Sequence, residues 1–284
     1  MPAFEGNGVS LFYEAKGSGQ PVFFVHGTLC DYRSWSSQTT AVSSSFKTIA
    51  YSRRYAYPNT RKGDVLDSTV QKNAADLATM IRWMGFSKAH VVGYSYGGFV
   101  AAFFALQYRD LLQSLTLINA AVGTMIVKDA KPASALKLLF TSPSVALSAR
   151  TLLSATSKTI EAVDSGDRDA ANRVFVPALQ NGRSDLPRKP PDFAKIVEDN
   201  AQTIKEATTQ FPVLTKSEAG SIGAPTLVMW GEKSAPWDSK VSKLLRESIP
   251  NSESAEIEGA GHFCQNEKPT EVNGRILAFL KKYS

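Results

Sequence analysis

The sequence predicts an α/β protein: a mostly parallel, twisted sheet flanked by helices and interrupted once by a block of helices. Three observations carry that expectation. Apolar runs without polar alternation recur at Pro21–Val25, Lys47–Tyr51, Val91-Val92, Leu115–Ile118 and Pro225–Trp230, as strands covered on both faces require. Segments of helical length and periodicity lie between most of them. From about 122 to 221 the strand rhythm stops and only helical patterns remain.

Taken in order, Val9–Lys16 reads as an edge strand that ends at Gly17-Ser18-Gly19. Pro21–Val25 is a buried strand ending at His26-Gly27-Thr28, and a helix is expected near Ser34–Val42. Lys47–Tyr51 is the next strand and runs into Ser52-Arg53-Arg54-Tyr55-Ala56-Tyr57-Pro58-Asn59. Val70, Ala74, Leu77, Ile81 and Met84 share one helical face, with Gly85 as the stop. Val91-Val92 predicts a strand, Phe99–Leu106 a buried helix and Leu115–Ile118 another strand.

Ala133–Phe140, Leu152–Val163 and Asp169–Leu179 then read as helices. Asp192 caps a fourth, with Phe193, Ile196, Val197 and Ile204 on one face. Asn181 to Pro191 is a loop rich in proline and charge. The α/β rhythm resumes at Pro225 and continues with a helix near Lys240–Glu247 and a strand near Ala255–Glu258. The loop Gly259-Ala260-Gly261-His262 and a closing helix, Thr270–Lys282, complete the chain. Residues 1–121 and 222–284 are therefore expected to form one core. Residues 122–221 form a helical cap over the carboxyl ends of the strands, where open α/β sheets bind ligands.

Bulk composition removes several classes of function. The 284 residues are 43% hydrophobic and 20% charged, ordinary for a globular chain with a full core. The net charge of +6 comes from scattered Lys and Arg without a basic tail, so no nucleic-acid partner is expected. Two cysteines, Cys30 and Cys264, make no disulfide framework, and no Cys/His cluster has zinc spacing. No cofactor or metal is expected. The first residues lack a basic, apolar leader, and Phe99–Leu106 is too short to span a bilayer. The expectation is a soluble cytoplasmic monomer or homodimer with a small-molecule partner and no membrane partner.

The chemistry-bearing stretch is Gly93-Tyr94-Ser95-Tyr96-Gly97, followed by Gly98, set between a strand and an apolar helix. In that setting the serine sits on a turn too sharp for neighbouring side chains. Its hydroxyl stands at a helix N-terminus, where developing negative charge is favoured. Without that context the same residues would fit a glycine-rich packing turn with an N-cap serine. A serine hydroxyl needs a base to take its proton. Only His26, His90 and His262 are present, and His90 lies at the wrong end of its strand.

With His26-Gly27, Gly93-x-Ser95-x-Gly97 and Gly261-His262 in this order, the chain resembles the α/β-hydrolase superfamily with a helical cap, over nearly its full length. The resemblance implies Ser95 as nucleophile and His262 as base. It implies the amides of Thr28 and Tyr96 as oxyanion donors, and His26 and Gly27 as substrate-binding residues, with His26 shaping the oxyanion loop. It also implies a cofactor-independent serine hydrolase, carboxylesterase-like, acting on small to medium acyl esters. Lactone, thioester or C–C bond hydrolysis and a non-catalytic ligand-binding role are the alternatives. Relatives that open epoxides or remove halide use aspartate at the nucleophile position.

The third member departs from the pattern. The superfamily's usual aspartate position holds Ser234, and the alternative position after Leu115–Ile118 holds Asn119. The nearby carboxylates are Glu232 and Asp238. Asp238 is chosen as the acid, although it would equally serve as a helix N-cap, and Asn119 would orient an imidazole without stabilising its charge. Arg53 and Arg54 replace part of the superfamily's Asp-x-Arg-Gly-x-Gly. They are open to two roles, a clamp on a substrate carboxylate or phosphate and a structural ion-pair network, of which the second is favoured. Cys30 and Cys264 are expected to be small buried hydrophobes near one another.

Overall fold

Eight strands form one sheet in the order β1-β2-β4-β3-β5-β6-β7-β8, antiparallel across β1/β2 and β2/β4 and parallel from β4 to β8. They are β1 (Ala3–Gly6), β2 (Val9–Lys16), β3 (Pro21–Val25), β4 (Lys47–Tyr51), β5 (Ala89–Tyr94), β6 (Leu112–Ile118), β7 (Thr226–Gly231) and β8 (Ser252–Ile257). The computed structural model describes residues 2–59, 63–127, 132–183, 192–208 and 213–284. The loop expected between Asn181 and Pro191 lies, from 184 onward, outside them.

The core helices in the first part of the chain are α1 (Ser36–Val42), α2 (Val70–Trp83) and α3 (Tyr96–Gln107). The inserted block contains α4 (Pro132–Thr141), α5 (Pro143–Asp164), α6 (Val176–Leu179), α7 (Phe193–Asp199) and α8 (Lys216–Ala219). The core resumes with α9 (Pro236–Ser248), α10 (Cys264–Glu267) and α11 (Pro269–Lys282). Among the described residues from 122 to 221 there is no strand. An eight-residue 3-10 helix, Ala201–Thr208, follows α7.

Burial explains why the apolar runs fold as they do. Every residue of β3, β5 and β7 is buried, since helices cover both faces. Side chains of α2, α3 and α9 join one apolar cluster and those of α1 and α11 the other. Helix α3 is apolar nearly all round, and Phe99 and Phe104 are at most 1% exposed, each worth about 2 kcal/mol of burial. Phe175, Phe193, Val197 and Ile204 of the inserted block join the α1/α11 cluster, so the block is rooted in the core.

Three boundaries differ from expectation for local reasons. Strand β1 has only four residues, Ala-Phe-Glu-Gly, and forms by pairing with β2. The strand expected at Ala255–Glu258 starts at Ser252, because parallel pairing with β7 recruits exposed Glu253. The helix expected near Lys240 starts at Pro236, with Ala235 as N-cap. Proline suits that first turn, having no N–H to leave unpaired.

Candidate active site

Ser95 stands between β5 and α3 with φ +52° and ψ −121°, a conformation a serine rarely adopts. Its backbone is held on both sides: its N–H donates to Ile118 O at 2.9 Å, and its carbonyl accepts from Gly98, Phe99 and Ala121. The glycines permit the close approach. A Cβ on Gly97 would collide with the carbonyl oxygens of Val25 and His26, and one on Gly27 would lie 3.0 Å from Ser95 Cβ. Ser95 is partly exposed while its neighbours Tyr94 and Tyr96 are buried.

His262 follows β8 at the same carboxyl end of the sheet, and the fold brings it to Ser95 across 167 positions of sequence. Its Nε2 lies 3.2 Å from Ser95 Oγ, and its Nδ1 lies 2.8 Å from Asp238 Oδ2. A carboxylate only accepts, so Nδ1 carries the proton and Nε2 presents its lone pair to the serine hydroxyl. The rings of Tyr94 and Phe263 pack at 5.3 Å from the imidazole and leave it 1% exposed. Asp238 is the third residue of α9 and is 5% exposed. It does not serve as the N-cap, and the positive end of the helix favours its charge.

The two positions where relatives would carry an acid hold each other instead. Ser234 Oγ donates to Asn119 Oδ1 at 3.1 Å, and Asn119 Nδ2 donates to the main-chain carbonyl of His262 at 2.8 Å. Asn119 thus anchors the backbone of His262 and does not bond its ring. Glu232 is exposed and accepts from Gly259 N at 2.8 Å, away from the imidazole.

On the other side of Ser95, the loop after β3 is locked from beneath. His26 is fully buried: its Nδ1 donates to Gly27 O at 2.8 Å and its Nε2 accepts from Arg53 N at 2.9 Å. That assigns the proton to Nδ1. Burial, with Arg53 beside it, holds the pKa of His26 well below the ordinary histidine value and keeps the ring neutral. Thr28, the next residue, is partly exposed, and Tyr96 opens α3 directly after Ser95.

A family model described as alpha/beta hydrolase fold matches residues 20–269. The chain belongs to the α/β-hydrolase fold family. A soluble epoxide hydrolase of Corynebacterium sp. (strain C12) is 24% identical, over 96% of this chain and 94% of that protein. A 2-hydroxy-6-oxononadienedioate/2-hydroxy-6-oxononatrienedioate hydrolase of Klebsiella pneumoniae is 27% identical, over 74% of this chain and 68% of that protein. Among solved structures, an esterase of Exiguobacterium antarcticum superposes with a TM-score of 0.76 at 17% identity, over 97% of each chain.

Within this α/β hydrolase, the expectation for His26 requires correction, that for Arg53 and Arg54 resolves to the ion-pair role, and that for the cysteines stands. The sequence predicts His26 as a substrate-binding residue, and the structure does not place it so. Its ring is enclosed with both nitrogens engaged, so its side chain acts on the loop and not on a ligand. Arg53 and Arg54 do not form an open clamp. Arg53 is fully buried against Glu206, with bonds of 2.9 and 3.1 Å. Arg54 is bidentate to Asp76, at 2.6 and 2.9 Å. Cys30 and Cys264 are buried free thiols in one apolar cluster, and burial raises the Cys264 pKa, so both act as small hydrophobes.

Sequence reading missed Glu206. It lies in a polar stretch beside Lys205, and nothing local marks it as the partner of an arginine 153 positions away. His90, at the opposite end of β5, bonds Ser114 Oγ and Gln20 Oε1 and is remote from Ser95 by topology. Among the described residues no three His, Cys, Asp or Glu side chains are grouped to hold a metal ion. No helix among them is long and apolar enough to cross a membrane.

Proposed function

We propose that this α/β hydrolase is a cofactor-independent serine hydrolase that cleaves small to medium acyl esters through an acyl-enzyme on Ser95. One observation carries the reading. A partly exposed serine, an imidazole and a carboxylate are joined by contacts of 3.2 and 2.8 Å in an order that runs a proton one way.

In this reading Ser95 Oγ attacks the ester carbonyl carbon as its proton passes to His262 Nε2. Asp238 keeps the proton of Nδ1 in place and stabilises the imidazolium. The carbonyl oxygen becomes an oxyanion facing the amides of Thr28 and Tyr96, each worth about 3 kcal/mol in the transition state. Collapse breaks the bond to the leaving alkoxide, which takes the proton from His262. Water then repeats the sequence, releases the acid and restores the Ser95 hydroxyl. The helical block 122–221 acts as a cap over this end of the sheet.

Epoxide opening, named for the Corynebacterium relative, fits less well, because serine stands where relatives with that activity carry aspartate. C–C cleavage, named for the Klebsiella relative, passes through the same acyl-enzyme and belongs in the substrate panel. The test is labelling with a fluorophosphonate, mass spectrometry of the adduct, and turnover of p-nitrophenyl esters. The expected result is one adduct on Ser95 and turnover lost in Ser95→Ala. No adduct, with no turnover that depends on Ser95, would favour a ligand-binding protein.

A further inference from the structure

We infer that Glu206 is a positioning residue for the oxyanion-binding amide of Thr28, acting through Arg53; the inference rests on the serine-hydrolase reading. The Gly27 carbonyl and the Thr28 N–H belong to one planar peptide and, in the trans form, point in opposite directions. Whatever fixes Gly27 O therefore aims the Thr28 N–H.

Gly27 O is held by two donors, His26 Nδ1 at 2.8 Å and Arg53 Nη2 at 3.2 Å. Arg53 Nε also donates to His26 O at 2.8 Å, so one guanidinium spans two successive carbonyls of the loop. The backbone N–H of Arg53 fixes the tautomer that lets His26 donate. The same guanidinium lies over the Tyr96 ring, 4.7 Å from its centroid, and Tyr96 carries the second amide.

Glu206 sets the plane of that guanidinium. Its two oxygens accept from Nη1 and Nη2 at 3.1 and 2.9 Å, a bidentate pair with both side chains fully buried. Ser68 Oγ donates to Glu206 at 2.7 Å, and Thr28 Oγ1 approaches it at 3.4 Å. The same 3-10 segment also supplies Thr203, whose Oγ1 accepts from Leu29 N at 2.8 Å. Leu29 has φ +60°, a conformation that leucine adopts only when its surroundings impose it. Residues of the inserted block thus hold the loop on both sides of the Thr28 amide. Without the Glu206 charge, Arg53 keeps a buried charge with no carboxylate to face. It then turns to other acceptors and releases Gly27 O.

The amide's bond to the oxyanion is realised mainly in the transition state, so the loss should appear in kcat and not in KM. The experiment compares wild type, Glu206→Gln and the double variant Arg53→Met/Glu206→Leu. Active sites are counted by fluorophosphonate titration, and kcat, KM and Tm are measured with one p-nitrophenyl ester. Glu206→Gln should lower kcat per titrated site roughly 10- to 100-fold with KM within about twofold, less than loss of an oxyanion donor outright. The double variant carries no buried charge and should fold and regain most of the Tm. Its kcat per site should stay low, because nothing replaces the donors to His26 O and Gly27 O.

Wild-type kcat per site in Glu206→Gln would overturn the inference. So would a double variant that regains both Tm and kcat, since the pair would then serve stability alone. If Glu206→Gln does not fold, the double variant decides the question by itself. Wild-type turnover that survives in Ser95→Ala marks failure of the hydrolase reading instead.

Discussion

Asp238 Oδ2 lies 2.8 Å from His262 Nδ1, and Asp238 comes from the first turn of α9, beyond the strand end where relatives would place it. Asn119, at the alternative position for the acid, bonds the main-chain carbonyl of His262 and not its ring. Asp238→Asn should therefore lower kcat by about three to four orders of magnitude, through the wrong tautomer and loss of charge. Asn119→Ala should lower it far less. Steady-state kinetics on the two variants check the ranking, and the reverse order would move the role to Asn119.

Ser234 donates its hydroxyl to Asn119 Oδ1 in a site where both side chains are buried. Ser234→Ala removes that donor without touching the imidazole. The cost should be about 1–2 kcal/mol of stability, with kcat within a few-fold of wild type. Urea denaturation beside kinetics separates the two effects. A large kcat loss at unchanged stability would show that the neutral pair bears on the reaction directly.

The glycines of the chain make opposite predictions. Gly97→Ala forces a methyl group against backbone carbonyls of β3, which have no side-chain freedom to move aside. It should cost about 3 kcal/mol or more, seen as a lower Tm and a poorer soluble yield. Gly274 lies within α11 with nothing near its Cα to obstruct a methyl group. Gly274→Ala should stabilise the protein by about 1 kcal/mol through helix propensity.

The inserted block bears on both sides of the candidate site: Ser148 of α5 accepts from Trp237 N at 3.0 Å, beside Asp238. Leu152 of the same helix is half-buried against the cluster that contains Phe193 and Phe263. If the block acts as a cap, Leu152→Ala should shift the preference for acyl-chain length. Comparing kcat/KM for acetyl to decanoyl p-nitrophenyl esters tests this, and an unchanged profile would count against a cap role.

What the sequence made legible was whatever rests on local rules. Continuous apolar runs marked the buried strands, and the glycines about Ser95 marked a turn that other residues cannot make. Three histidines left few candidates for a partner to Ser95. Partners made by packing were not legible. Glu206 and Arg53 meet because the inserted block folds back onto the loop after β3, and no spacing records that. Asp238 remained open between two roles because the start of α9 decides between them. Pro236 and Ala235 move that start about four residues earlier than the apolar pattern indicates, which turns Asp238 from a cap into an inward-facing side chain.

Two histidines should make the fold sensitive to acid. His90 is buried between Ser114, Gln20 and the Phe46 ring, and burial lowers its pKa from the ordinary 6.5 to about 4. His26 is lowered in the same direction by burial and by Arg53. The unfolded chain takes up a proton at each site near pH 6.5, whereas the folded chain does not until the pH is well below that. Below pH 6.5 the unfolded state therefore binds more protons, and stability falls as the pH falls, by about 1.4 kcal/mol per pH unit for each such histidine. Above about pH 7 neither histidine contributes any slope. For His90 the loss is complete near pH 4, where the folded form also protonates, and amounts to about 3 kcal/mol. Urea midpoints between pH 7.5 and 4.5 should drop for the wild type. They should drop less steeply for His90→Gln, in which one of the two protons is no longer taken up. Equal slopes in the two proteins would mean that His90 titrates normally in the folded chain, and that its contacts with Ser114 and Gln20 do not hold it neutral.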